Sequence, residues 1–355
     1  MAERIRILEL FAGIGACSKA LANLGIEHEI VDAVEIDKYA VASFNAVHGT
    51  NFKPQDICGW DKDIECDLIL HGSPCQDFSV AGKNAGGDEG SGTRSSLLYE
   101  SLRIIEKLKP KYVIWENVKN LLSKKHVHNW NAYAERMEEM GYTNYCQVLN
   151  AKDYGVPQNR ERVFTVSILG GGDFRFPSRR PLTKRLKDVL ESEVDEKYYL
   201  SDEQVSGLIA SNYDQNKRFY DTSGLSPTLS TMGGGNRQPK IVDDIYKNRH
   251  TNGYDLATDG DGIDLNYPDS KTRRGRVGHS VSKTIPTSGG SQGVLDGFRI
   301  RKLTPKECWR LMGFDDEDFE RAANVCSNTQ LYKQSGNSIV VSVLEAILKE
   351  MLDGE

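Results

Sequence analysis

Residues 5–25 read IRILELFAGIGACSKALANLG, and this stretch decides the fold. Ile5 to Phe11 is a short apolar strand, and Cys17 to Leu24 carries a helical spacing that Gly25 stops. Between them Gly13 and Gly15 sit in a strand-to-helix turn, where a bare backbone lets a ligand approach the sheet's carboxyl edge. The same alternation continues downstream. Strand patterns stand at Glu29–Ile36, Asp67–His71, Lys111–Trp115, Tyr145–Leu149 and Arg162–Leu169. Helix patterns stand at Lys38–His48 and Trp130–Met140. Another starts from an N-cap at Thr93, with Leu98, Leu102, Ile105 and Leu108 on its apolar face. Such alternation predicts a doubly wound α/β domain with a parallel sheet covered on both faces.

After Gly170-Gly171-Gly172 the composition changes. Residues 173–297 are rich in Gly, Ser, Thr, Asn and Asp and read as a separate, loop-rich, partly β domain. Two similar segments lie in it, SPTLSTMGG at 226–234 and SKTIPTSGG at 282–290. Thr304-Pro305-Lys306-Glu307 then forms a capping box, and Ser338–Met351 is an apolar amphipathic helix that needs a partner surface. The predicted division is a catalytic domain over 1–172, completed by a C-terminal helix at 330–355. An inserted domain covers 173–297 and a helical hinge covers 298–329.

The glycine loop is not a dinucleotide fingerprint, because G-x-G-x-x-G fails at Ser18. A nucleoside ligand without a pyrophosphate suits it better. Glu35 ends the second strand, where a carboxylate can accept both ribose hydroxyls. Asp56-Ile57 follows, a polar acceptor beside an apolar contact for a purine. Their order on successive strand ends points to an adenosine site.

The chemistry centres on Gly72-Ser73-Pro74-Cys75-Gln76-Asp77-Phe78-Ser79. A lone cysteine is most often an inert small hydrophobe. Here it follows a buried strand and precedes a glycine-rich stretch, Gly82–Gly92, that suits a mobile lid. One strand later, Glu116 of Trp115-Glu116-Asn117-Val118 can reach the same cleft. A thiolate and a carboxyl together suit addition to an electron-poor ring. None of the seven histidines is an obvious partner for a cysteine hydrolase; His71 is close in sequence and reads as buried. Gln158-Asn159-Arg160-Glu161-Arg162 opens a strand with two arginines whose forks suit a carbonyl or a phosphate. Arg160 reads equally as an internal ion pair with Glu161 or a nearby carboxylate.

These motifs resemble the bacterial and phage DNA cytosine-5 methyltransferase family over nearly the whole chain. FAGIG at 11–15, Glu35, Asp56-Ile57, GSPCQDFS at 72–79, WENV at 115–118 and QNRER at 158–162 stand in that family's order. So do Arg301-x-Leu303-Thr304-x-x-Glu307, Arg310-x-Met312-Gly313-Phe314 and Gln334-x-Gly336-Asn337-Ser338. Ala16 departs from many relatives, which carry glycine there.

The resemblance implies a Rossmann-like methyltransferase fold dependent on S-adenosyl-L-methionine, with 173–297 as target-recognition domain. It implies Cys75 as the nucleophile on carbon 6 of a flipped cytosine. Glu116 would lie at ring nitrogen 3 and the amino group, and Arg162 at the base carbonyl. Arg160 and Gln76 complete the catalytic set. The cofactor would rest against Phe11, Gly13, Gly15, Glu35, Ile36, Asp56, Ile57, Pro74, Leu97, Asn337 and Ser338. A tRNA cytosine-5 methyltransferase of the same lineage is the alternative. Its branch usually carries Cys-Phe-Thr soon after the WENV motif, where this chain has Lys119-Asn120-Leu121-Leu122-Ser123-Lys124.

Charge alone does not name the partner. The formal net charge is −6, yet basic residues cluster at 175–187 and 271–276; either cluster reads equally as solvated surface. With double-stranded DNA as the expected substrate, Arg237, Gln238, Arg273, Arg274 and Arg276 are candidates for DNA contact, Arg237 for a guanine edge. The seven scattered cysteines contain no C-x-x-C pair and suit a reducing compartment. No apolar run approaches a membrane span, and the charged N-terminus does not read as a signal peptide. The expectation is a cytoplasmic monomer without metal, in a bacterial or phage-infected cell and a restriction–modification setting.

Overall fold

The structure is a computed structural model of the 355-residue chain. It describes residues 4–74, 94–209, 218–232, 237–243, 262–264, 277–278, 292–294 and 299–352. Cys75, Gln76, Gly82–Gly92, Thr93, Arg273, Arg274, Arg276 and the second repeat at 282–290 lie outside those residues.

Two compact units are present. The first comprises Met1–Glu191, Leu225–Arg237 and Pro305–Glu355. It opens with β1 (Ile5–Leu10), α1 (Ala16–Asn23), β2 (His28–Val34) and α2 (Lys38–His48). Then come β3 (Leu68–His71), α3 (Leu98–Leu108), β4 (Tyr112–Val118), α4 (Val127–Glu139), β5 (Tyr142–Asn150) and β6 (Glu161–Leu169). The six strands form one sheet in the order β2-β1-β3-β4-β6-β5. The β1–β2, β1–β3 and β3–β4 pairs are parallel, as the helix between each successive pair of strands requires.

The expected all-parallel sheet is corrected at β6, which runs antiparallel to both β4 and β5. Residues 151–160 between β5 and β6 are too few for a crossover helix, so the chain folds back as a long hairpin. The expected N-terminus of α3 is also shifted. A 3-10 turn at Arg94–Leu97 precedes it, and Leu97 caps it without a side-chain hydrogen bond.

Both faces of the sheet are buried, which explains its nearly continuous apolar strands. Leu8, Leu10, Val34, Ile69, Val113, Trp115 and Val163 pack with Leu98, Leu102 and Ile105 of α3 and with Tyr133 and Met137 of α4. The alternate residues Ile7, Leu68, Leu70, Ile114 and Phe164 are buried on the other face. Glu9 is there too, wholly buried, and accepts hydrogen bonds from Cys17 N, Ser18 N and Ser18 Oγ at the start of α1. A carboxylate at a helix N-terminus meets its unsatisfied N–H groups; even so, burial pushes Glu9 up to about 7.

The second unit comprises Ser192–Gly224 and Gln238–Thr304. It holds α5 (Asp202–Ile209) and β7 (Phe219–Asp221), β8 (Lys240–Asp243), β9 (Gly262–Asp264), β10 (Val277–Gly278), β11 (Gln292–Val294) and β12 (Arg299–Lys302). The strands make two small sheets, β12-β8-β7 and β10-β9-β11. The first unit finishes with α6 (Pro305–Arg310), α7 (Asp316–Ala323), α8 (Asn328–Asn337) and α9 (Val341–Leu352). The C-terminal amphipathic helix α9 lies on α1, where Asn23 Nδ2 donates to Glu345 Oε1 at 2.6 Å.

These units place boundaries differently from composition. Residues 173–191 and 225–237 pack with the first unit. Phe174 sits on Tyr145 at 5.4 Å between ring centres, and Asn159 N donates to Ser226 O at 2.9 Å. Polar, glycine-rich composition marks loops, but it does not reveal which core a loop lies against.

Candidate active site

The carboxyl ends of β1, β3 and β4 open into a cleft lined by Glu9 to Gly13, Ala16, Leu70, Gly72, Glu116 and Asn337 to Ile339. Phe11 at its mouth has φ +54°, a backbone conformation that few non-glycine residues adopt. Of the expected cofactor residues, Phe11, Gly13, Asn337 and Ser338 therefore share one cleft. Glu35, just past β2, has its carboxylate between Gly13 N at 3.1 Å and Asp37 N at 2.8 Å. A carboxylate held this way keeps capacity for further donors, as ribose hydroxyls would require. Beside it Ile36 is 68% exposed, an uncovered apolar side chain fit to carry a flat ring.

Other expected cofactor residues lie elsewhere. Gly15 does not line the cleft. A side chain there would strike His48 Nε2 at 2.1 Å and Phe44 at 2.8 Å, and its φ is +80°. Its bareness serves the packing of α2 on the loop. Ile57 is buried in the core, and Leu97 packs against it half-buried. Asp56 caps the turn that follows it, accepting from Cys58 N at 3.0 Å, and lines a neighbouring groove with Gln55, Gly59 and Trp60. Pro74 ends the described chain before Cys75.

On the base side Glu116 lines the cleft from within β4. Arg162 Nε stands 3.1 Å from its Oε1, both side chains being largely buried. Burial pushes the Glu116 carboxyl above the usual carboxylate range, while Arg162 and then Arg160 pull it back. Arg160 is the correction in this group. It neither enters the cleft nor pairs with Glu161, which takes Lys119 at 3.0 Å. Its buried guanidinium donates to Leu229 O at 3.0 Å, Gly336 O at 3.1 Å and Ser338 O at 2.9 Å. It ties the segments at Leu229 and at Gly336–Ser338 to its own, beside the cleft that Ser338 lines. Gly336 is glycine for a related reason. A side chain there would come within 2.0 Å of Ser230 O, because 226–232 crosses directly over it.

Motif reading missed a cluster around the residues that lead into Cys75. Trp115 Nε1 donates to Ser73 Oγ at 3.1 Å, and Asn117 Nδ2 donates to Ser73 O at 3.2 Å. From the far side of the 75–93 segment, Ser95 Oγ donates to Pro74 O at 2.9 Å. Period two in β4 was the available signal, since Trp115 and Asn117 must point opposite to Glu116. His71 is wholly buried against Trp115 and Tyr133. Burial pulls it down to about 3, so it stays neutral and is no partner base. Four of the other thiols are poor nucleophiles: burial pushes Cys17, Cys66, Cys146 and Cys308 up, Cys66 to about 12.

Arg237 is exposed and Gln238 half-buried. Among the described residues no group of three or more His, Cys, Asp or Glu could hold a metal. No helix among them is long and apolar enough to cross a membrane.

The fold and the sequence both have known counterparts. The structure superimposes on the crystal structure of the S. pombe Dnmt2 methyltransferase with a TM-score of 0.67, over 99% of both chains. At 20% identity that likeness shows the fold alone. The orphan methyltransferase M.SPRI of Bacillus phage SPR is 35% identical, with 98% of each chain covered. The type II methyltransferase M2.ScrFI of Lactococcus lactis subsp. cremoris is also 35% identical, over 99% of this chain and all of that one. The pattern that defines C-5 cytosine-specific DNA methylases matches residues 5–353. By that match and those full-length relatives, the chain belongs to the C-5 cytosine-specific DNA methylase family.

Proposed function

We propose that the protein methylates carbon 5 of a cytosine extruded from double-stranded DNA, using S-adenosyl-L-methionine and a covalent bond from Cys75. The observation that carries this is the single cleft that Glu116 shares with Phe11, Gly13, Asn337 and Ser338. The residues fit the cofactor: Glu35 offers acceptors for the ribose, Ile36 an apolar platform, and the bare loop at Gly13 close approach. When bound, the cofactor supplies an electrophilic sulfonium methyl group for carbon 5.

The chain's own residues do the rest. Cys75, bonded to the clamped Ser73–Pro74 segment, adds its thiolate to carbon 6 of the ring. Glu116, whose affinity for a proton burial raises, places a hydrogen at ring nitrogen 3, where negative charge develops. Arg162 serves the base carbonyl and steadies Glu116. After methylation, loss of the carbon 5 proton to a base expels the thiolate and restores the ring. Extruding the base costs a few kcal/mol, which contacts to the duplex must offset. The second unit, with its two small sheets, is the proposed reader of the target sequence.

The test is expression with a plasmid, followed by bisulfite mapping, beside Cys75→Ser. Methylated cytosines in a fixed sequence context are expected, and none with the variant. Duplex carrying 5-fluorocytosine should become bonded to the wild-type protein alone. An unmodified plasmid beside methylated tRNA would overturn the reading.

A further inference from the structure

The basic run at 175–187 is built as a rail. Six basic residues and two acidic ones give residues 173–189 a net charge of +4 in a chain whose total is −6. Both ends are tied down. Tyr154 Oη donates to Pro177 O at 3.0 Å, and Arg180 N donates to Asp153 O at 2.9 Å. At the far end Leu186 and Val189 are buried, and Arg310 donates to Val189 O at 3.1 Å and Leu190 O at 3.0 Å. Between these anchors Arg180, Lys184, Arg185 and Lys187 are exposed, and no carboxylate among the described residues pairs with their side chains. Several cations elsewhere in this unit are neutralised: Lys19 by Asp315 and Asp318, Lys62 by Asp32, Lys107 by Asp61, Arg310 by Asp316. Free cations on an anchored segment need little ordering to meet an anion.

The rail's position gives the anion. Val118 of β4 and Leu149 of β5 both pair with Arg162 of β6. At the usual strand spacing Leu149 therefore stands about 10 Å from Val118, at the same carboxyl edge as Glu116. Asn150 follows, then the turn Ala151–Tyr154 that holds Pro177 and Arg180. That offset is roughly three base-pair steps of about 3.4 Å along a duplex.

We propose that the rail is a phosphate-contact surface for duplex flanking the target base, using Arg180, Lys184, Arg185 and Lys187 without regard to sequence. This rests on the methyltransferase reading above, and it adds the surface that holds DNA beyond the reacting cytosine.

The test compares wild type with the triple variant Arg180→Gln, Lys184→Gln, Arg185→Gln on a 30-base-pair duplex holding one target site. Each lost phosphate contact lowers the slope of log Kd against log salt by about 0.9. A slope smaller by roughly 2 to 3 is expected, with Kd at least tenfold weaker near 0.1 M salt. The methylated position, the rate at saturating DNA and the melting temperature should not change. Lys184→Gln alone should lower the slope by about 0.9. An unchanged slope on that duplex overturns the proposal, as does weaker RNA binding with duplex binding intact. Failure of the wild type to methylate any duplex defeats the methyltransferase reading, while its salt slope still decides the rail.

Discussion

Two carboxylates serve the proposed site, Glu116 in the cleft and Glu35 beside it on Gly13, and the chain holds them by different means. On the cofactor side Glu35 is gripped by main-chain N–H groups from Gly13 and Asp37. On the base side Glu116 faces a guanidinium, that of Arg162. Burial raises the affinity of both for a proton. Backbone donors oppose this at Glu35 and fix the carboxylate as a stationary acceptor. At Glu116 the opposing charge sits on a side chain, so the balance between proton and cation can shift as a base enters. Under the proposed function, the contrast separates a group that binds from a group that exchanges a proton.

The harshest way to break that contrast is Glu116→Gln. The amide keeps the shape and can still donate to a ring nitrogen, but it has no proton to transfer. Turnover on duplex DNA should fall by about 100-fold to 10,000-fold, the range that a positioned general acid supplies. Cofactor affinity should hold within about threefold. The pH profile carries the sign. The active form is the protonated one and burial raises its pKa, so wild-type turnover should decline as pH rises through that elevated value. The variant, with no carboxyl to titrate, should lose this alkaline decline. If it keeps full turnover, or the same alkaline limb, Glu116 is not the acid.

A gentler break falls on the other carboxylate. Glu35→Gln leaves one oxygen acceptor and turns an NH2 toward either Gly13 N or Asp37 N, setting donor against donor. A lost charge-assisted hydrogen bond is worth about 1.5–3 kcal/mol, so cofactor affinity measured by calorimetry should weaken by roughly 10-fold to 100-fold. Turnover at saturating cofactor should stay within a few-fold of wild type. A collapse of turnover at unchanged affinity would erase the distinction between the two sides.

Much of this was legible in the sequence, because strand ends carry the chemistry and strands announce themselves. The helix at Lys38–His48 and the placing of Gly13, Glu35 and Glu116 at the carboxyl ends of strands followed from apolar period and glycine position. What stayed hidden depends on contacts between distant segments. Arg160 and Arg162 lie on one face by alternation, and nothing local tells which one will find three carbonyls and which a carboxylate. The carbonyls belong to Leu229, Gly336 and Ser338, well over sixty residues away. Gly15 looked like a ligand loop because glycine serves ligand approach and helix packing equally well. The antiparallel β6 was missed because strand patterns carry no direction; only the short link from β5 encodes it.

The smallest effect should come from Trp115, next to Glu116 but facing away from the cleft. Its indole donates to Ser73 Oγ, and its ring stacks on His71 at 5.8 Å between centres with 2° between planes. Among the described residues no such neighbour ties Glu35 to the segment before Cys75, so this contact is assigned to the base side. Trp115→Phe keeps an aromatic face for His71 and Tyr133 but removes the donor. Asn117 remains on Ser73 O, so Ser73 should loosen rather than leave. One neutral hydrogen bond contributes about 0.5–1.5 kcal/mol, which sets the scale at roughly 2-fold to 10-fold in rate. If the bond positions Cys75, that loss should appear in the rate of bond formation with 5-fluorocytosine duplex. DNA and cofactor affinities should hold. A merely structural tryptophan would lower the melting temperature and leave the trapping rate of the folded fraction untouched; that outcome would confine the Ser73 contact to packing.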